Sequence, residues 1–300
     1  MHNPPHGILI TGIHGLVGQY LFKQLKNWQG PVIITGKGAC RMPEHGFTYE
    51  DLDITHQEAV QAVFLKHKPS IVIHSAAMAQ PDACELDKDA ALLVNVTATK
   101  FLLEAAQASG TFFLFLSTDF VFSGADGPYH EASMPDPVNF YGQTKWMAEQ
   151  LVMQSSSPWA IVRTVLVYGN VISGTRSNII SWAKQALEKG TPIKVVGDQI
   201  RSTTYAGDLA RAILTIAVKK ASGVWHIAGK DALSPYEIAL RVAHHLQLDT
   251  GLMTRVDASL FTQPARRPLQ THFIIDKAKR ELGYDPIDFS EGMRLVLQGD

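Results

Sequence analysis

A tyrosine and a lysine four residues apart, Tyr141 and Lys145, are the pair in this sequence best suited to proton chemistry. On a helix, positions with this spacing share one face, so the ammonium group would lie beside the phenol. A nearby positive charge favours the phenolate and lowers the phenol pKa from its usual value of about 10. Thr118 ends an apolar segment before this helix, and its hydroxyl can hydrogen-bond a reacting oxygen. The three residues predict a site that protonates a carbonyl during its reduction.

A glycine-rich segment, TGIHGLVG from Thr11, lies between an apolar run and a helical pattern. In the spacing G-x-x-G-x-x-G, the first glycine permits a tight turn and the second lets a pyrophosphate approach the backbone. The third allows close packing of helix and strand. Amide groups at the start of the helix then face the phosphates, so the segment predicts dinucleotide binding. The predicted binding residues are Gly12, His14, Gly15, Leu16, Val17 and Gly18.

The residues after the second predicted strand indicate which dinucleotide binds. An NAD site usually has an acidic residue there, which binds the ribose 2′-hydroxyl. This sequence instead reads TGKG from Thr35, with Lys37 in the segment, Arg41 nearby, and no Asp or Glu before Glu44. Two cations without an opposing carboxylate would suit a 2′-phosphate. The sequence therefore favours NADP(H) as the cofactor, with NAD(H) as the alternative.

Alternating strand and helix patterns predict how these residues are brought together. Apolar runs that predict strands buried on both faces occupy residues 7–11, 32–35, 70–75, 111–118 and 160–167. Helical patterns occupy residues 15–28, 55–66, 86–108 and 140–153. This order predicts an α/β fold, a Rossmann-type doubly wound parallel sheet with right-handed crossovers. Ligands of such sheets bind at the carboxyl ends of the strands, where Thr118 and the glycine segment lie.

The pattern changes after Tyr168. Predicted helices at residues 178–188, 205–219 and 235–246 are separated by short strands such as 193–196 and 224–227. We therefore expect residues 1–168 to form an NADP-binding Rossmann domain. Residues 169–300 are expected to form mainly a smaller C-terminal substrate-binding region, partly interleaved with the Rossmann sheet.

Composition and charge argue against several other classes of protein. The 27 Lys and Arg against 28 Asp and Glu leave a net charge of −1, without the basic stripe of a nucleic-acid-binding protein. No apolar run approaches the roughly 20 residues of a membrane-spanning helix, and no secretory signal is evident. Two cysteines, Cys40 and Cys84, cannot build a disulfide framework, and no His or Cys spacing predicts a metal site. We expect a cytoplasmic protein.

Several segments have the form of family motifs: TGIHGLVG from Thr11, STDFVFSG from Ser117 and YGQTK from Tyr141. Through them, and over nearly its whole length, the sequence resembles the extended short-chain dehydrogenase/reductase family. The segments PYHEASMPDPVNFYGQTKWMAEQ from Pro128 and ARRPLQTHFIIDKAKRELG from Ala265 are similar to its dTDP-4-dehydrorhamnose reductase branch. The resemblance implies NADPH-dependent reduction of the 4-keto group of a nucleotide-linked deoxysugar.

The resemblance also implies roles for individual residues. The positions that match the family's catalytic triad are Thr118, Tyr141 and Lys145, of which the last two also bind the cofactor. Further cofactor positions implied by the family pattern are Asp53 and Ile54 at the adenine, Ala76 and Ala77 along the cofactor, and Asn95 in support of the site. Candidates for holding the substrate are Asn178, Gln199, Arg201 and Arg267. Arginine side chains suit a diphosphate because their planar fork donates two parallel hydrogen bonds.

Other hypotheses remain open at this point. A nucleotide-sugar 4-epimerase or a reductase of a different keto sugar would share these motifs. A non-catalytic NADP-binding regulatory subunit, like the β subunit of methionine adenosyltransferase, would also retain the triad. Phe120 occupies the position where related dehydratases carry an acid, which argues against dehydration. The expected partner is a nucleotide-sugar substrate, with a homodimer as one option for assembly, and neither nucleic acid nor membrane.

Overall fold

The structure of the protein, a computed structural model, describes residues 7–44, 46–174 and 178–299. The strands are β1 Ile8–Thr11, β2 Val32–Gly36, β3 Thr48–Asp51, β4 Ile71–His74, β5 Phe112–Thr118, β6 Trp159–Thr164, β7 Val167–Tyr168, β8 Ile193–Val196, β9 Ile200–Ser202, β10 Thr204–Tyr205, β11 Gly223–His226, β12 Ala232–Leu233, β13 Met253–Val256 and β14 Gln270–Thr271. The α-helices are α1 Leu16–Gln24, α2 Gln57–His67, α3 Pro81–Leu86, α4 Lys88–Leu92, α5 Ala98–Ser109, α6 Phe140–Met153, α7 Ile179–Glu188, α8 Ala206–Lys219, α9 Pro235–Leu246, α10 Asp276–Leu282 and α11 Phe289–Gln298.

One seven-stranded parallel sheet forms the centre of the fold, in the order β3-β2-β1-β4-β5-β6-β11. Strand β1 is entirely buried between β2 and β4. Its Ile8 and Ile10 pack into the core on one face of the sheet, and Leu9 packs into a second core on the other face. Because both faces of the sheet are covered by an apolar core, its strands are continuous apolar runs and do not alternate with polar residues. The predicted Rossmann-type α/β fold is confirmed.

Strand β3 is absent from the prediction made from the sequence. Its residues are exposed or half-buried because the strand lies at the edge of the sheet, so it carries no apolar signal. It runs parallel to β2, with Asp51 opposite Gly36. The edge strand thus brings a carboxylate to the end of β2, beside the predicted cofactor site.

The single helix predicted for residues 86–108 is wrong. Asp87 ends α3, and its side chain accepts a hydrogen bond from the Ala90 N–H at 3.0 Å, which begins α4 as a separate helix. A π-helical turn over Leu93–Thr97 then leads into α5. The Ala and Leu residues on both sides of the break favour helix, so the sequence pattern does not indicate where one helix ends and the next begins.

Residues after Tyr168 build short sheets around a core of their own. Strand β8 pairs with β13, and β9 lies between β12 and β14. The helices α7, α9 and α11 pack over a core that includes Ile180, Val242 and Met293. Helix α8 instead packs against one face of the central sheet. Strand β11 belongs to this sheet, where it pairs with β6. The domain boundary at residue 168 stays a prediction.

The helices within the described ranges are all too short or too polar to cross a lipid bilayer.

Gly18 generates a prediction about stability. A Cβ atom at this position would lie 2.4 Å from the Gly12 carbonyl oxygen and 2.7 Å from the Ile13 Cα, so α1 would have to move away from β1. We expect Gly18→Ala to lower the free energy of unfolding by about 2 kcal/mol. Chemical denaturation measures this change, with Gly46→Ala as the control because a Cβ there meets no neighbour. Equal stability of the two variants would contradict the close packing.

Candidate active site

A cavity of about 600 Å³ opens at the carboxyl ends of β1, β4, β5 and β6. Doubly wound sheets bind ligands at this edge, where the strand order reverses. Its lining includes the predicted residues Gly12, Gly15, Leu16, Val17, Gly18, Ala76, Ala77, Thr118, Tyr141, Lys145, Asn178 and Arg201. The predicted residues outside this lining are His14, Lys37, Arg41, Asp53, Ile54, Asn95, Gln199 and Arg267. Since it joins the glycine segment to the Tyr/Lys pair, the cavity is the candidate active site.

The glycine segment forms one wall because its backbone approaches the loop after β4. Gly12 has a φ of +77°, and a Cβ atom there would lie 2.6 Å from the Ala76 nitrogen. The Ser75 hydroxyl donates to the Thr11 carbonyl oxygen at 2.6 Å, which ties the ends of β1 and β4 together. Gly15 precedes α1 without a side-chain cap, so the first amides of the helix are available to an anion.

His14 and Arg41 line a neighbouring cavity of about 770 Å³. The Arg41 backbone N–H donates a hydrogen bond to His14 Nε2 at 3.2 Å. Burial lowers the pKa of His14, which favours the neutral ring that can accept this bond. His14 therefore lies beside Arg41 rather than on the wall formed by the glycines.

Carboxylates lie beside the segment after β2, which corrects the expectation of an acid-free site there. The Nζ of Lys37 lies 2.8 Å from Asp53 Oδ2, and the hydrogen bond from Lys37 lowers the pKa of Asp53. Asp51 accepts a hydrogen bond from the Gly38 N–H at 2.7 Å. Strand β3 brings these acids back to β2, although they are distant in the sequence. Arg41 forms no ion pair with a described residue, so it is the cation available to a 2′-phosphate.

The three residues of the predicted triad line the same cavity at this edge of the sheet. Asn139 caps α6 by accepting a hydrogen bond from the Gly142 N–H at 2.9 Å, which sets the start of the helix that carries Tyr141 and Lys145. The Lys145 ammonium donates to the Leu116 carbonyl oxygen at 2.7 Å, on the strand that ends at Thr118. All three side chains are buried in the wall of the cavity, as a proton-transfer site requires.

A buried ion pair lies behind Lys145. Arg163 Nη2 lies 2.6 Å from Glu149 Oε2, and both side chains are almost completely inaccessible to solvent. Glu149 lies one helical turn after Lys145 in α6. Arg163 lies in β6 directly before Thr164, and Thr164 is the residue opposite Thr118 in β5. Burial lowers the pKa of Lys145 to about 7, and the Glu149 carboxylate acts in the opposite direction. The pair thus links the catalytic helix to the sheet and supports the charge on Lys145.

Asn95 and Ile54 have contacts within the protein itself. The Asn95 carboxamide accepts from the Met78 N–H at 2.8 Å and donates to Thr144 Oγ1 at 3.0 Å. It therefore ties the loop after β4 to α6, next to Lys145. Ile54 is buried in the apolar core on one face of the sheet. Contacts of either residue with a cofactor stay predictions.

Two polar residues of the cavity, Ser117 and Thr164, are absent from the predicted site. The hydroxyl oxygens of both are buried and have no hydrogen-bond partner within the described protein. They lie at the ends of β5 and β6, so strand position is the signal that could have identified them. Unpaired buried hydroxyls are costly, so Ser117 and Thr164 keep unused hydrogen-bonding capacity at this end of the cavity.

The substrate candidates differ in how far their hydrogen-bonding groups are already used. The Asn178 carboxamide caps α7 through Ser181 and donates to the Gly169 carbonyl oxygen at 2.9 Å. Arg267 forms a two-pronged ion pair with Asp82, at 2.6 and 2.7 Å. Arg201 has an Nε without a partner and makes only long contacts, such as 3.4 Å to Gln199 Oε1. Of the two arginines, Arg201 is therefore the one held less firmly by partners within the protein.

No group of three or more His, Cys, Asp or Glu side chains in the described ranges is arranged to hold a metal ion.

Comparison with known proteins identifies the family. Residues 6–299 match the family described as RmlD substrate binding domain. The chain belongs to this family. The match extends over both the central sheet and the region after Tyr168, so the whole cavity lies within it.

Individual relatives carry two different descriptions. A crystal structure of dTDP-4-dehydrorhamnose reductase from Bacillus anthracis in complex with NADP has a TM-score of 0.86 and 26% identity, and the match covers 99% of this chain and 100% of that one. A second reductase of that description, from Clostridium acetobutylicum, has a TM-score of 0.86 and 31% identity over 97% and 98% of the two chains. Methionine adenosyltransferase 2 subunit beta of Xenopus laevis is 31% identical over 83% of this chain and 74% of its own length.

The burial of Lys145 generates a prediction about pH and stability. Its pKa is about 7 in the folded protein and about 10.4 in an unfolded chain, so unfolding takes up a proton between these pH values. The resulting penalty on stability is complete below about pH 7 and vanishes above about pH 10. We expect Lys145→Met to be more stable than the wild type at pH 7, by on the order of 2 kcal/mol, and this gain to shrink towards pH 10.

Urea denaturation at both pH values measures this difference. The exposed Lys194→Met is the matched control, for which no pH-dependent difference is expected. A Lys145→Met variant that is less stable than the wild type by the same amount at both pH values would contradict a depressed lysine pKa.

Proposed function

We propose that this protein is an NADPH-dependent oxidoreductase that reduces the 4-keto group of a nucleotide-linked deoxysugar, with dTDP-4-dehydrorhamnose as the substrate. The observation that carries the proposal is the single cavity in which the glycine segment meets Thr118, Tyr141 and Lys145. The reductase structure described with NADP supports it, because its match covers nearly the full length of both chains.

The cavity fits a dinucleotide. Close backbone approach at Gly12 and Gly18 packs the turn and the start of α1 against the protein, and Gly15 between them carries no side chain where a pyrophosphate would pass. The uncapped start of α1 would hold the phosphates, and Arg41 would hold the 2′-phosphate. Ser117 and Thr164 line the part of the cavity at the ends of β5 and β6, away from the glycine segment. When bound, NADPH supplies the hydride for carbon 4 of the sugar.

The chain supplies the proton and the electrostatic stabilisation. The Tyr141 phenol gives its proton to the carbonyl oxygen as negative charge develops there, so that the ketone becomes an alcohol. The buried Lys145 ammonium lowers the cost of the phenolate that remains, and Thr118 holds the reacting oxygen by a hydrogen bond. A proton from solvent restores the phenol. NADPH, the ketone and one proton thus give NADP⁺ and the alcohol.

The substrate diphosphate is assigned to Arg201, which lines the cavity and whose Nη2 makes only long hydrogen bonds, at 3.3 and 3.4 Å, within the protein. Arg267 can join it only after leaving Asp82, and Gln199 lies beside the Arg201 guanidinium. Cys40 is exposed, Cys84 is buried, and the two form no disulfide with each other, a pattern common in proteins of the reducing cytoplasm, which is the further proposal for location. Assembly as a homodimer stays a prediction.

A second candidate function is a regulatory subunit, which the similarity to methionine adenosyltransferase 2 subunit beta supports. That match covers a smaller share of both chains than the reductase matches do. Stable co-purification with a methionine adenosyltransferase catalytic subunit, together with no turnover of any keto sugar, would favour this function.

Turnover of dTDP-4-dehydrorhamnose tests the reductase directly. We expect NADPH consumption, followed by its absorbance, and a fall in kcat by about 10²- to 10⁴-fold in Tyr141→Phe because that variant lacks the proton donor. The dissociation constant of NADPH should change much less than kcat, because the glycine segment and Arg41 still hold the cofactor. The matched control is Tyr236→Phe, on α9 outside the cavity lining, which should leave kcat unchanged.

Two outcomes would contradict the reductase. Bound cofactor that is recycled, with isomerised sugar and no net NADPH consumption, would indicate a 4-epimerase. Unchanged kcat in Tyr141→Phe would remove the phenol from the chemistry. Turnover of a different nucleotide-linked keto sugar in preference to this one would keep the reaction and correct the substrate.

Cofactor preference depends on Arg41. We expect Arg41→Ala to weaken NADPH binding by about tenfold and to leave NADH binding nearly unchanged, because only NADPH carries the 2′-phosphate. Lys37→Ala is the control, and its effect should be smaller since Asp53 already opposes the Lys37 charge. Fluorescence titration with both cofactors measures this. Equal losses for NADPH and NADH in Arg41→Ala would show that the side chain does not contact the 2′-phosphate.

A further inference from the structure

A buried carboxyl group, Asp119, lies next to Thr118 and has no part in the mechanism above. It is 3% exposed and lines the active-site cavity directly after β5. Its two oxygens have different partners: Oδ1 accepts from the Thr118 hydroxyl at 3.1 Å, and Oδ2 accepts from the Thr271 hydroxyl at 2.5 Å. The acid therefore lies between a proposed catalytic hydroxyl and the C-terminal strand β14.

The hydrogen bonds of Thr118 raise a conflict with its proposed role. A hydroxyl has one hydrogen to donate and two lone pairs that accept. In the structure the Thr118 hydrogen is donated to Asp119, and the Phe120 N–H donates to the Thr118 oxygen at 3.3 Å. In this arrangement Thr118 has no hydrogen to offer a substrate oxygen. An ionised Asp119, which can only accept, maintains it.

We propose that Asp119 is a positioning residue which, in its protonated form, turns the hydrogen of Thr118 towards the reacting oxygen of the substrate. The proton on Oδ1 is donated to the Thr118 oxygen, while Oδ2 continues to accept from Thr271. Thr118 then accepts from Asp119 and Phe120 and donates its own hydrogen into the cavity, which uses its full hydrogen-bonding capacity.

Charged groups around Asp119 connect its proton to substrate binding. Burial raises the pKa of Asp119, while the Arg201 guanidinium on β9 and the hydroxyls of Thr271 and Thr118 lower it. Arg201 faces the same cavity, 5.0 Å from the centre of the Phe120 ring. A substrate diphosphate would neutralise Arg201, an assignment that rests on the proposed function. This removes the largest of the effects that lower the pKa of Asp119. Diphosphate binding thereby favours the protonated form of Asp119 and releases Thr118.

Proton uptake on ligand binding tests this coupling without turnover. The probe is dTDP-rhamnose in the absence of cofactor, titrated calorimetrically in buffers of different ionisation enthalpy. We expect the wild type to take up more protons near neutral pH than Asp119→Asn, which cannot be protonated at this position. Binding with equal proton uptake in both would overturn the inference alone. No binding of dTDP-rhamnose to the wild type would overturn the proposed function, and the inference with it.

The pH dependence of kcat/KM supplies the second test. As pH rises, ionisation of Asp119 should lower kcat/KM in the wild type, whereas Asp119→Asn always donates to Thr118. We expect the ratio of Asp119→Asn to wild type to rise by about threefold or more between about pH 6 and pH 9. The control is Asp136→Asn, the same substitution at an exposed position, whose ratio should stay constant.

Thr271→Val provides an independent variant that keeps the acid. Loss of the Thr271 hydrogen bond raises the pKa of Asp119, so the fall of kcat/KM should move to higher pH. A constant Asp119→Asn ratio together with an unmoved profile in Thr271→Val would show that Asp119 serves only to hold the fold.

Discussion

The buried ion pair between Glu149 and Arg163 sets the geometry on which the proposed chemistry depends. It joins α6, which carries Tyr141 and Lys145, to β6, which pairs in register with the strand that ends at Thr118. Removing one partner from such a pair costs about 3–5 kcal/mol because the remaining charge is buried alone. The helix therefore has one favourable position against the sheet, and this position brings the phenol and the threonine hydroxyl to the same cavity.

The charges in the cavity follow from this arrangement. Lys145 is buried by the contact of α6 with the sheet, which disfavours its ammonium form, and the Glu149 carboxylate partly offsets that cost. Asp119 and Arg201, an acid and a cation, also line the cavity, and the charge of Arg201 lowers the pKa of Asp119. An anionic substrate would change this balance at the moment of binding. Substrate binding and preparation of the proton-transfer site are thereby linked.

Local motifs were sufficient to predict part of this site. The contacts between residues distant in the sequence could not be predicted. The glycine segment and the Tyr141/Lys145 pair are short patterns whose function depends on spacing, so the sequence contains them completely. The contacts of Asp82 with Arg267 and of Asp119 with Thr271 join residues more than 150 positions apart, which no pattern reveals. Strand β3 was missed because an exposed edge strand needs no apolar residues, and the position of Asp51 and Asp53 beside the end of β2 was missed with it.

The most direct test of the central claim follows the hydride. NADPH deuterated at the reactive carbon of the nicotinamide would be incubated with the protein and dTDP-4-dehydrorhamnose, and the product examined by mass spectrometry and NMR. The account predicts one deuterium on carbon 4 of the product sugar, transferred from only one face of the nicotinamide. Absence of deuterium from the product whichever face of the nicotinamide is labelled, or deuterium at another carbon of the sugar, would contradict it.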